Sequence, residues 1–298
     1  VSPRNRQTAS YLIQRFRDAG IAPRAQWGQC FLTDLNLVEL LVKTADVRPT
    51  DVVLEVGTGS VTALVAARAA AVVTVEVDPA LFQLASEELH ALEHVHMVNA
   101  DALAGKNRLN PEVLEAVQRE LDAAPGRTFK LVANLPYHVA TPVITNLLTL
   151  DRPPRTMTVT IQKELADRMT ARPGTKDYGA LSLWVQSQCR VDVVRRMPPS
   201  VFWPRPKVHS AIVHVVLDDA LRSRLPDRDF FHDFIRAMFL HRRKFLRSQL
   251  VSAVGDRLDK SEVDAILARL GLDAGLRAEQ LDVATMLALC EAVRAARR

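Results

Sequence analysis

Cysteine is scarce in this chain of 298 residues: Cys30, Cys189 and Cys290 are far apart and odd in number. That argues against a disulfide framework and suits a reducing compartment, so a cytoplasmic protein is expected. Long apolar runs are also missing. None approaches the roughly 20 residues needed to cross a bilayer, so no membrane partner is expected. The N-terminus is polar, with Arg4, Arg6 and Arg15, and lacks the apolar stretch of a secretory signal. There is no internal repeat and no long low-complexity tract, which excludes a solenoid. His90, His94 and His96 lie close together, but no cysteine or ordered acid completes a ligand set, so no metal is expected. What the chain does have is 48% hydrophobic residues, enough to bury a proper core, and a net charge of +5. A basic balance is compatible with a nucleic-acid partner without requiring one.

A glycine is missing at an informative place. Residues 51–59 (DVVLEVGTG) read as a buried strand carrying one acid, Glu55, followed by a turn with Gly57 and Gly59. A helical pattern over about 61–71 and a second apolar run over 71–77 come next. Strand, glycine turn and helix bring backbone close to a nucleotide. Glu76 lies about 20 residues past Gly57, where an acid at a strand tip reaches a ribose diol. The third glycine of the dinucleotide fingerprint, which lets helix and strand pack beneath a pyrophosphate, is absent. This points from NAD or FAD toward a nucleoside cofactor without phosphates, usually S-adenosylmethionine. A tight turn in any α/β protein is the plain alternative.

Strand and helix patterns alternate up to about residue 217, which predicts an α/β domain with a mostly parallel sheet and helices on both faces. Before the glycine turn come a helix over 9–18, a loop over 28–34, and a helix from 35 with Asp34 as its N-cap. From 218 onward only helical periodicity remains, with expected helices over 231–240, 244–254, 262–270 and 283–296. Two domains follow: a catalytic one over 1–217 and a small all-α one over 218–298.

Residues 134–137 (NLPY) end the predicted fourth strand, where ligands bind in open α/β sheets. Pro136 fixes its own φ and pushes Leu135 into an extended shape. Asn134 then presents an amide beside main-chain carbonyls, with the ring of Tyr137 at stacking reach. Such a set suits a purine amino group; a strand-ending turn with a half-buried tyrosine would look the same. Asp101 ends the third strand, as acceptor for an adenine amine or as an ordinary turn cap. Residues 241–247 (HRRKFLR) place Arg242, Arg243, Lys244 and Arg247 in a run without acids, where Arg243 and Arg247 would share a helical face. Phosphate contacts are one reading and a solvated face the other.

Taken together these residues resemble the ribosomal RNA adenine N6-dimethyltransferases of the KsgA type. The resemblance runs through GQCFLTD (28–34), EVGTG (55–59), VEVD (75–78), NADA (99–102) and NLPY. It continues in QKE (162–164), KDYGALS (176–182), PPSVF (198–202), PKVHS (206–210) and RRK (242–244), all in one order. It implies a Rossmann-like class I methyltransferase sheet, S-adenosylmethionine as cofactor, and a helical C-terminal domain that binds RNA. By position, Gln29, Cys30 and Leu32 would line the cofactor's methionine end, with Gly57 and Gly59 at its backbone. Glu76 would hold the ribose hydroxyls and Asp101 the adenine amine. Asn134 and the Leu135–Pro136 carbonyls would grip the target N6, and Tyr137 and Phe202 would sandwich the flipped base. The expected substrate is a pair of adjacent adenines in a hairpin near the 3′ end of small-subunit ribosomal RNA, free or in a partly assembled subunit, and the expected state is a monomer. Three positions depart from the family: Cys30 stands where Asn is usual, His138 where Asn or another polar residue is frequent, and Val61 where a small residue is common. An Erm-type enzyme acting on large-subunit RNA, a non-catalytic assembly factor on this fold and an NAD-dependent oxidoreductase are the rivals.

Overall fold

The computed structural model describes residues 9–24, 27–59, 61–106 and 108–296. Arg4 and Arg6 therefore lie outside the described residues. The chain divides into two compact units. One holds the described residues up to Ala166 together with Asp192–Val216, and the other Asp167–Val191 together with the chain from Leu217 onward.

A seven-stranded sheet organises the first unit. Its strands are β1 (Asp51–Val56), β2 (Ala71–Val75), β3 (Val95–Val98), β4 (Thr128–Asn134), β5 (Thr156–Gln162), β6 (Cys189–Met197) and β7 (Ser210–Leu217). The spatial order is 3-2-1-4-5-7-6. β1 to β5 run parallel to their neighbours, and β7 is antiparallel to β5. The order reverses between β1 and β4, and that crevice is where an open α/β sheet takes its ligand. Every residue of β1 is buried, so its apolar run reads as a central strand covered on both faces.

The helices around it are α1 (Ala9–Asp18), α2 (Leu35–Ala45), α3 (Thr62–Ala66), α4 (Pro79–Leu89), α5 (Pro111–Asp122), α6 (Tyr137–Leu147) and α7 (Lys163–Met169). Asp34 caps α2 as expected, accepting from the N–H of Asn36 at 3.0 Å. Asp78 caps α4 and Asn110 caps α5, each with proline at the first helical position. α3 is far shorter than the pattern over 61–71 predicts, because the chain must turn back to start β2: the N–H of Ala70 already donates to Asp51 O at 2.9 Å. One face of the sheet and α2 close a cluster of Val38, Leu41, Val53, Val72, Val132 and Ile212, each fully shielded. Beneath it the Lys130 ammonium, 8% exposed, pairs with Asp51 at 2.9 Å. It also donates to Ala45 O at 3.1 Å and Asp46 O at 2.6 Å. Those carbonyls end α2, where a cation meets the negative end of the helix dipole.

The second unit contains α8 (Ala180–Gln186), α9 (Asp219–Arg222), α10 (Arg228–Phe239), α11 (Leu246–Val254), α12 (Lys260–Arg269) and α13 (Val283–Ala296). Residues 167–191 join these helices through contacts distant in sequence. The Tyr178 hydroxyl, fully buried, donates to Leu281 O at 3.0 Å, and Gly174 N donates to Glu279 O at 2.7 Å.

Candidate cofactor and base cleft

The strand-order reversal opens into a cleft enclosing about 890 Å3, counted out to solvent. Four stretches line it: 27–32, the glycine turn after β1, the tip of β2, and the turn after β4, with Ala100 to Ala102 at one side. Gly57 has φ +86°, a value that disfavours any side chain, and a Cβ there would stand 3.7 Å from the Pro136 ring. Gly59 is different: a Cβ on it would meet nothing within 4 Å.

The charged lining is acidic. Glu55, Glu76 and Asp101 face the cleft, and no lysine or arginine lines it among the described residues. A pyrophosphate has no cationic partner here. A cofactor with a positive centre and no phosphate fits the donor set. Burial pushes the Glu76 carboxyl up to about 7, against N–H donors from Asp78, Thr58 and Val77 that pull it down. Glu55 is pushed up to about 8 by complete burial, with hydroxyls of Thr62 and Thr74 donating to its Oε2 at 2.5 and 3.2 Å. A buried carboxyl with spare acceptor capacity suits a diol that can bring two O–H donors.

Asn134 ends β4 with its amide already oriented. Nδ2 donates to Cys30 O at 2.7 Å. Leu135 is 1% exposed and anchors the turn through its N–H to Thr160 O at 3.2 Å. Pro136 opens α6, and its carbonyl accepts the Val139 N–H at 3.1 Å. The Tyr137 hydroxyl sits 2.6 Å from Ser210 Oγ, and burial raises its pKa. His138 is exposed at the cleft and packs on Gly28, where a Cβ would stand 2.8 Å from Nδ1. Gly28 has φ +63°.

Most of the residues singled out in the sequence meet here: Gln29, Cys30, Leu32, Gly57, Gly59, Glu76, Asp101, Asn134 and Pro136 all line the cleft. Asp101 also serves as a turn cap, with Oδ1 accepting from Leu103 N at 2.9 Å. Phe202 requires a correction. It pairs with Leu32 in a short antiparallel ladder and is 4% exposed inside the apolar cluster, so its ring is not offered to the cleft. The other residues of that ladder, Phe31 and Trp203, alternate to the opposite side and stack at 6.2 Å. Gln29, at the cleft, also has an internal partner: its side chain meets Asp78, with Nε2 donating to Oδ2 at 3.0 Å. In the sequence Asp78 stands out only as the last residue of the VEVD stretch (75–78).

The three neighbouring histidines disperse. His90 Nδ1 meets Glu87 O at 2.9 Å, His94 Nε2 meets Ala66 O at 2.8 Å, and His96 Nε2 lies 3.0 Å from Glu120. Among the described residues no group of three or more potential metal ligands forms.

In the second unit the basic run departs from the expected helix. Residues 241–244 form a turn and α11 begins only at Leu246, so Arg243 and Arg247 share no helical face. Arg242 pairs with Glu279 and donates to Thr175 O, and Arg247 makes a two-pronged contact to Asp264 at 2.6 and 2.8 Å. Arg243 and Lys244 are exposed, beside Phe245 at 58% exposure.

A family profile described as ribosomal RNA adenine dimethylase matches residues 21–294. The ribosomal RNA small subunit methyltransferase A of Alkaliphilus oremlandii is 39% identical over 259 residues, covering 86% of each chain. Its namesake in Geobacillus kaustophilus is 35% identical over 285 residues, covering 95% of this chain and 94% of the other. Among solved structures, a dimethyladenosine transferase from Plasmodium falciparum superposes with a TM-score of 0.70 at 22% identity, over 87% of this chain and 95% of that one. The 23S rRNA methyltransferase ErmE gives 0.58 at 24% identity, over 89% and 99%. These two share the fold, a class I methyltransferase sheet. The extent of the profile match and the identity to the two bacterial relatives establish more: the chain belongs to the ribosomal RNA adenine dimethylase family.

Proposed function

We propose that this protein dimethylates N6 of two adjacent adenines in a hairpin near the 3′ end of small-subunit ribosomal RNA, with S-adenosylmethionine as methyl donor. The observation that carries the reading is the orientation of Asn134. Its Nδ2 is committed to Cys30 O, which leaves Oδ1 to accept an N–H from an amine at the mouth of the cleft. The name shared by the two bacterial relatives supports the RNA class.

The cofactor supplies an activated methyl group on a positively charged sulfur. The protein's part is to hold the nucleophile. The N6 lone pair of adenine is delocalised into the ring. Two acceptors on its N–H bonds, Asn134 Oδ1 and a neighbouring main-chain carbonyl, draw N6 toward a tetrahedral shape and aim the lone pair. Tyr137 offers the ring on which the extruded base stacks, its hydroxyl held by Ser210. Glu76 would hold the ribose hydroxyls of the cofactor, and Asp101 its adenine amine. Positioning and fixed dipoles supply the rate, and no strong base is needed because the proton leaves after transfer. Arg243 and Lys244 are the cations left to meet phosphate.

Tritiated methyl transfer to the separated small and large ribosomal subunits of an unmethylated strain, followed by nucleoside analysis, tests this. N6,N6-dimethyladenosine near the 3′ end is the expected product. Label confined to large-subunit RNA, or no label at all, overturns the proposal.

A further inference from the structure

Residues 27–32 cross the cleft as a strap tied on two sides. On one side Gln29 Oε1 accepts from Arg24 N at 2.6 Å while Nε2 donates to Asp78 Oδ2 at 3.0 Å. On the other, Cys30 O accepts from Asn134 Nδ2 at 2.7 Å. Residues 29 and 30 are adjacent, so the Gln29 side chain and the Cys30 carbonyl are linked through the planar 29–30 peptide and the backbone torsions of residue 30. Asp78 is 1% exposed and does not line the cleft. Its Oδ1 accepts from Ala80 N at 3.0 Å, and its own N–H donates to Glu76 Oε1 at 2.9 Å. A continuous path thus runs from Glu76 through Asp78, Gln29 and Cys30 to Asn134.

We propose that Gln29 and Asp78 form a latch that closes the strap over the cofactor and couples the Glu76 carboxylate to the Asn134 amide, which makes Asp78 a positioning residue for methyl transfer. The inference rests on the reading of the cleft given above. Releasing Gln29 frees the backbone at residues 29 and 30 to shift. Cys30 O then leaves Asn134 Nδ2, and the amide is free to turn and offer a donor where the target amine needs an acceptor. The latch therefore acts on the chemical step as well as on cofactor affinity. A Gln29 that served only by touching the cofactor would affect affinity alone.

A double-mutant cycle on the full chain tests this. Gln29→Met keeps the side-chain length and removes both hydrogen-bonding atoms. Asp78→Asn keeps an oxygen for the Ala80 N–H, so the cap of α4 survives, and sets an amine against Gln29 Nε2. S-adenosylmethionine affinity is read by calorimetry and kcat on small subunits. Each single change is expected to lower both by about tenfold, the scale of a lost hydrogen bond to a charged group. The double variant is expected to be no worse than either single one. Losses that multiply in the double variant overturn the latch. So does Gln29→Met with unchanged kcat, a result that stands even where Asp78→Asn fails to fold. Wild-type protein that binds no S-adenosylmethionine overturns the cofactor reading along with the latch, whereas wild-type binding with multiplying losses overturns the latch alone.

Discussion

The cleft and the basic turn each gather the polar residues their sequence motifs announced, but they use them in opposite ways. In the cleft, hydrogen bonds within the protein orient groups and leave an atom over for a ligand: Asn134 spends Nδ2 on Cys30 and keeps Oδ1. In the turn over 241–247, internal ion pairs consume the very groups that would bind. Arg242 and Arg247 are held by Glu279 and Asp264, and two of four cations have their charge answered within the protein. A motif therefore lists candidates, and the partners inside the fold decide which of them remain for function.

The largest effect should come from Asn134→Ala. Removing an oriented acceptor at the reacting amine is expected to cost about 10²–10³ in kcat, while RNA affinity stays within about threefold of wild type on the scale of one exposed contact. Equal losses in filter-binding and turnover assays would make Asn134 a binding group like the turn, and the contrast would vanish.

Glu76 gives the next effect, and it depends on pH. Its carboxyl titrates at about 7 in the folded protein, above its ordinary value of 4.5, because of burial. The raised value means the folded state holds a proton that the unfolded chain releases. Its contribution to the stability of the ligand-free protein is therefore full below 4.5 and lost as pH rises through 7, and Glu55 extends the loss to about 8. Cofactor affinity moves the other way, rising through the same window as the ionised carboxylate becomes able to accept from a ribose hydroxyl. Calorimetry should show proton release on binding at pH 6 and little at pH 8, where the carboxyl is already ionised. Glu76→Gln should flatten the pH dependence and weaken binding about tenfold, as a lost charged hydrogen bond does.

In the turn, the two kinds of cation should separate. Arg243→Glu with Lys244→Glu is expected to lower RNA affinity and reduce the slope of log K against log salt by about 1 per cation. Arg242→Ala and Arg247→Ala are expected to lower the melting temperature and leave that slope within error. A slope that falls equally for all four would return the run to a uniform phosphate grip.

Cys30→Asn should have the smallest effect. The contact to Asn134 comes from the backbone carbonyl of the half-buried residue 30, so the thiol's replacement by the amide expected there should change cofactor affinity by less than about threefold.

Much of this was legible in the residue order because strand tips depend on short-range signals. A buried apolar run followed by Gly57, and Pro136 locking the turn after Asn134, fix their geometry within a few residues. The misreadings share a nonlocal cause. Phe202 faces inward because its strand pairs with Leu32, far away in the chain, and that register sets its side. The 241–245 turn is held by contacts to distant residues: Leu246 N donates to Leu276 O, and Arg242 pairs with Glu279. Residues 167–191 group with the C-terminal helices for the same reason, through Tyr178 and Leu281. Periodicity carries no information about such partners.

Lys130 has a consequence for how opening of the molecule can be watched. Its amine is shielded and shared among Asp51, Ala45 O and Asp46 O, so three segments of the chain must be in place to hide it. A lysine-acylating reagent should modify the exposed Lys244 at once and reach Lys130 only in molecules whose seam between α2 and the sheet has parted. The rate of acylation at that site, read by mass spectrometry, becomes a clock for that local opening.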